Sequence, residues 1–98
     1  MIPPTEPEAA GRLRRALEGF RKAQNLLLAA HRQLKGMPSD EVDRFWLAAG
    51  ARLERHLHLA ATEVLAAFKA FSAAGLVAGA NDRHMITEAQ RLLTEGGR

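Results

Sequence analysis

The chain has 98 residues, a net charge of +3 and 47% hydrophobic residues, which permits one small domain with a modest core. The absence of cysteine excludes disulfides, thiolate metal sites and a cysteine nucleophile. No apolar run reaches the ~18 residues of a transmembrane helix, and the N-terminal MIPPTEPEAA lacks the order of a signal peptide. We therefore expect a cytoplasmic protein that does not bind a membrane.

The first predicted helix covers about residues 6–35. Thr5 begins a capping-box pattern, T-E-P-E, in which its hydroxyl caps the helix and Glu8 reaches back to it. No strong breaker follows until Gly36, which favours the left-handed conformation that ends helices. Heptad spacing predicts the buried side of this helix from Leu13, Leu17, Phe20, Gln24, Leu27, His31 and Leu34.

The second predicted helix covers about residues 40–74, with Ser39 as its N-cap and Gly75 as its end. The tight turn before it requires the first two helices to run antiparallel, so that residue i faces roughly residue 75 minus i. Alanines recur every seven residues along both helices. Facing pairs such as Ala16 and Ala60 should therefore let the two helix axes approach closely.

The second helix also carries a second apolar face, about 100° around from the first. Its members are Leu47, Gly50, Ala61, Leu65 and Phe68. A third helix, predicted at about residues 83–95, is too short to cover all of this face, so we expect a partner chain to cover the rest. The predicted fold is all-α: a long antiparallel helical hairpin plus a short C-terminal helix. It forms a single domain, residues 1–98, that dimerises into a four-helix-type bundle.

The run RLERHLHLAATE raises the question of a metal or acid–base site. Its two histidines, His56 and His58, point about 200° apart on a helix and cannot bind one ion from the same chain. The sequence also lacks a nucleophile–base pair with an oxyanion donor and a glycine-rich phosphate loop. We therefore expect no catalytic residue, no metal and no cofactor, and a protein that is not an enzyme.

These features predict a non-catalytic module for protein–protein interaction or assembly, such as an adaptor, a small subunit or a homo-oligomeric scaffold. Its partner would be a second copy, in a homodimer, or another helical protein. Large apolar side chains dominate such interfaces, and we expect Phe45, Trp46, Leu47, Leu65 and Phe68 to form this one. The alternative for Leu65 and Phe68 is burial beneath the third helix.

The alternative function is that of an accessory nucleic-acid-binding protein. Four basic residues share one side of the first helix and span about 32 Å by helix rise. This basic stripe consists of Arg14, Arg21, Arg32 and Lys35. It could contact phosphates over about one turn of duplex, although no aromatic residue interleaves with it to stack on bases. The competing interpretation is a solvated flank of the helix pair.

Overall fold

The computed structural model describes residues 5–96, and in that range it contains three helices and no strand. The all-helical prediction is confirmed. Helix α1 is Glu6–Leu34 and helix α3 is Ala80–Gly96. Helix α2 consists of three consecutive segments: an α-helical start at Ser39–Phe45, a π-helical turn at Trp46–Gly50 and an α-helical remainder at Ala51–Ala73. The backbone stays in the right-handed helical region at both junctions of α2, which is therefore one continuous rod.

Local sequence signals set most of the helix ends. The Thr5 hydroxyl accepts a hydrogen bond from the Glu8 backbone N–H at 3.3 Å, which confirms Thr5 as the cap of α1. Gly36 and Gly75 adopt φ values of 85° and 82° just beyond the ends of α1 and α2. Glycine occupies this left-handed region without the steric cost that a Cβ adds, so both predicted stops are confirmed.

Two helix starts differ from the sequence predictions. Ser39 is the first helical residue of α2 rather than its cap: the cap is Pro38, and no side chain there bonds to the backbone. Helix α3 begins at Ala80, three residues before the predicted start. The Arg83 N–H donates to the Gly79 carbonyl at 2.9 Å, which closes a helical turn across a segment expected to be a link.

Helices α1 and α2 pack antiparallel along most of their length. Arg12 of α1 donates to Glu63 of α2 through Nε and Nη2, both at 2.9 Å, and 12 plus 63 gives the predicted sum of 75. Ala9, Ala16 and Ala67 are buried along the same contact. Small side chains on both helices allow the close approach that the alanine repeat predicts.

Helix α3 covers more of α2 than the sequence suggested. Ile86 and Ala89 of α3 are buried in one cluster with residues of α1 and α2, and Leu65 and Phe68 of α2 pack against that cluster. Helix α3 is 17 residues long, against the 13 predicted. Leu65 and Phe68 of the second apolar face pack beside it, whereas Leu47 of the same predicted face stays exposed.

The π-helical turn at Trp46–Gly50 was not predicted, and it changes which residues of α2 share a face. A π turn adds one residue to a helical turn, so residues before it are rotated relative to those after it. The Trp46 ring lies directly over Gly50, where a Cβ would overlap the indole. Leu47 consequently does not continue the face of Leu65, and its side chain is 85% exposed.

Candidate functional site

The structure places the five predicted interface residues in three environments. Leu65 and Phe68 are partly buried against the core beside α3. Phe45 and Trp46 are half-buried near the turn between α1 and α2, with ring centroids 5.3 Å apart in an edge-to-face arrangement. Leu47 alone is largely exposed. The five side chains thus do not combine into one apolar face.

A groove that we call the open groove lies between α1 and α2. It has a volume of about 450 Å³, and the residues that line it are Arg12, Arg15, Ala16, Gly19, Ala60 and Glu63. All six belong to α1 and α2, so α3 does not contribute to it. The side chains in the middle of the groove are small, which leaves room for another helix to approach.

Two exposed leucines lie on the same sides of α1 and α2 as residues of the open groove, although neither is part of its lining. Leu26 lies seven residues after Gly19 and so shares its side of α1, and it is 52% exposed. Leu59 lies four residues before Glu63 on α2 and is 60% exposed. Neither residue was among the predicted interface positions, because neither belongs to the repeating apolar pattern of its helix. The exposed flank of a helix pair leaves no periodic signal of its own in the sequence.

The open groove carries charges of both signs. The Arg12–Glu63 ion pair crosses it, with the two side chains 44% and 48% exposed. The hydrogen bonds from Arg12 hold the pKa of the Glu63 carboxyl below its ordinary value, while partial burial acts in the opposite direction and is the weaker effect. The pair therefore stabilises the contact between α1 and α2 when Glu63 is ionised.

A pH-dependent stability test follows from this shift. Because the pKa of Glu63 is lower in the folded state, its contribution to stability is present above the unfolded-state pKa and is lost as pH falls through the folded-state pKa. Glu63→Gln should lower the Tm slightly at neutral pH, and the difference from the native chain should shrink as pH falls through the folded-state pKa of Glu63. Glu54→Gln, at an exposed residue of the same helix that is in none of the ion pairs of residues 5–96, is the matched control for loss of a carboxylate.

The two arginines in the N-terminal half of the basic stripe lie in a groove shared with α3. Arg14 and Arg21 line this groove, of about 410 Å³, together with Glu18 and Asp82. Arg21 Nη2 also donates to the sulfur of Met85 at 3.6 Å. Two carboxylates beside two guanidinium groups leave little net charge here, which is unfavourable for a polyanion.

The other half of the stripe has different surroundings, in a pocket that we call the turn-end pocket. It has a volume of about 370 Å³ and is lined by His31, Arg32, Leu34, Lys35, Val42 and Trp46. None of these residues is a carboxylate, and Trp46 supplies the aromatic group that α1 itself lacks near the stripe. Trp46 comes from α2, so spacing along the first helix could not reveal this contact.

The histidine-rich run combines exposed polar side chains of α2 with buried apolar ones such as Leu57 and Ala61. His56 and His58 both lie at the surface, and residues 5–96 contain no group of three histidine or acidic side chains placed to hold a metal ion. No polar or charged side chain is buried in that range. Among the same residues, no helix has the length and apolar character needed to cross a membrane.

No family model matches the chain, and it matches neither a curated protein nor a solved structure. Evidence for its function therefore comes from the chemistry of its own surfaces.

Proposed function

We propose that the protein is a non-catalytic helical assembly module that pairs with a second copy of itself through the open groove. The observation that carries this proposal is the pair of half-exposed leucines, Leu26 and Leu59, on the sides of α1 and α2 that also line the open groove. Single exposed leucines are common on monomers. Here the two leucines accompany a groove whose lining includes Ala16, Gly19 and Ala60 and no residue of α3.

The charges of the groove support a second copy as the partner. In a two-fold symmetric dimer the same surface faces itself, so it must carry groups that complement one another. Arg15 is exposed and lies beside the Arg12–Glu63 pair. A two-fold axis across the groove would bring Arg15 of one copy towards the Glu63 carboxylate of the other.

The packing of the groove supports the same arrangement. Ala16, Gly19 and Ala60 leave space for helix axes at the short end of the ~8–10 Å range. Two α1–α2 pairs meeting here would form a four-helix arrangement with each α3 on the outside. Leu47, the most exposed of the five residues predicted at the interface, would extend the contact along α2 towards the turn.

Paired leucine variants test this proposal. The double variant Leu26→Gln, Leu59→Gln removes apolar groups that only the dimer would bury, so it should sediment as a folded monomer while the native chain sediments as a dimer. Leu28→Gln is the matched control: Leu28 is 48% exposed and lies two residues after Leu26, on the other side of α1. Equal masses for the double variant and the control, with helical circular dichroism retained in both, would contradict the proposed surface.

A further inference from the structure

The turn-end pocket brings together a basic pair and an aromatic pair. Arg32 stands on the last turn of α1, and Lys35 is the C-cap residue just after it. The rings of His31 and Trp46 lie 4.9 Å apart, inclined at 49°. We propose that this pocket binds single-stranded nucleic acid, with phosphates on the basic pair and an unpaired base against the aromatic pair.

The residues that line the pocket favour an anionic ligand, with two basic side chains and no carboxylate, although Glu41 and Asp43 adjoin the lining residue Val42 in the chain. Arg32 and Lys35 are exposed, and neither takes part in the ion pairs found among residues 5–96. The carboxylate of Asp40, at the start of α2, is already paired with Arg44 at 3.1 Å. These two cations, one on the last turn of α1 and one at its C-cap, can each contact a phosphate oxygen, which gives sequence-independent, salt-sensitive affinity.

The aromatic pair provides a fixed surface for a base. The Trp46 ring packs on Gly50, and its centroid lies 5.3 Å from that of the Phe45 ring in an edge-to-face arrangement. The indole is therefore held in place before any ligand binds. The imidazole of His31 is exposed and extends this aromatic surface towards Arg32. Stacking on such side chains is tolerant of sequence and requires a base that is free of its complementary strand.

The rest of the basic stripe extends from the turn-end pocket along α1. Arg21 and Arg14 continue from the pocket along the same side of α1, over about 32 Å by helix rise. A nucleic-acid strand therefore matches the length of the basic stripe better than a single nucleotide does. The carboxylates beside Arg14 and Arg21 weaken phosphate binding there, so the turn-end pocket should contribute more of the affinity. The pocket shares no residue with the open groove, so this proposal does not depend on dimerisation.

The natural fluorescence of the protein makes a direct test possible. Trp46 is the one tryptophan of the chain, which has no tyrosine, so the emission spectrum reports on this pocket alone. An oligothymidylate of about 12 nucleotides matches the usual length of single-strand sites. It should change Trp46 emission on binding, and its affinity should fall steeply as salt is raised. An abasic strand of the same length keeps the phosphates and should bind more weakly, with little change in emission.

Charge variants complete the test. Arg32→Gln with Lys35→Gln should weaken oligothymidylate binding by roughly tenfold or more, because two phosphate contacts are lost. Arg52→Gln with Arg55→Gln removes the same charge at the same spacing from an exposed part of α2 and should have a much smaller effect. Equal losses in the two pairs, unchanged Trp46 emission, or equally tight binding of the abasic strand would each overturn the proposal.

Discussion

Replacing Phe20 by alanine should remove a large part of the protein's stability and lower its Tm strongly. Phe20 is 1% exposed and is the largest of the fully buried side chains, packed in one cluster with Leu13 and Val64. Truncating a buried phenylalanine typically costs about 3–5 kcal/mol, because the transfer energy is lost and a cavity remains. Domains of this size have only about 5–15 kcal/mol in total, so this one change removes a large part of the stability.

Thermal unfolding followed by circular dichroism measures the effect. The Tm of Phe20→Ala should fall by roughly 15 °C or more, given that 1 kcal/mol shifts the Tm of a small domain by about 4–8 °C. Leu28→Ala truncates a side chain that is 48% exposed and should lower the Tm far less. If the two variants melted within a few degrees of each other, the core described here would be wrong.

Gly50→Ala should destabilise the protein, against the usual trend for a glycine inside a helix. Such a change normally stabilises a helix by about 1 kcal/mol. At Gly50, however, the new methyl group would overlap the indole of Trp46, so the ring must leave its position or the π turn must rearrange. Overpacking of this kind costs about 1–3 kcal/mol. The emission of Trp46 should shift at the same time, because the ring becomes more exposed.

Gly19→Ala is the matched control for this change. Gly19 is also inside a helix, and a Cβ there would meet no atom within 4 Å. At low protein concentration, where pairing through the open groove does not contribute, this variant should be as stable as the native chain or more so, with unchanged Trp46 emission. A Gly50→Ala protein that behaved like Gly19→Ala in both measurements would rule out the contact between Trp46 and Gly50.

Much of the fold could be predicted because its signals are local or strictly periodic. Thr5 caps α1 through a bond to a residue three positions away, and Gly36 and Gly75 end helices through their own backbone conformation. The position of the turn set the register of α1 against α2, and the Arg12–Glu63 pair matches that register. Each of these features depends on neighbouring residues or on a spacing that a sequence shows directly.

The features that escaped prediction depend on contacts between distant segments. The π turn at Trp46–Gly50 rotates Leu47 away from Leu65. The sequence indicates this turn only through a glycine four residues after a tryptophan, inside a segment with a strong helical pattern. The position of Trp46 beside Arg32 follows from the way the two helices pack near the turn. Spacing along one helix cannot reveal either result.

The mass of the native protein in solution tests the proposed function most directly. Light scattering at roughly 0.15 M salt, where exposed charges are largely screened, should give twice the chain mass of 10.7 kDa at high protein concentration and a decrease towards one chain on dilution. A mass of one chain at every concentration would contradict pairing through the open groove.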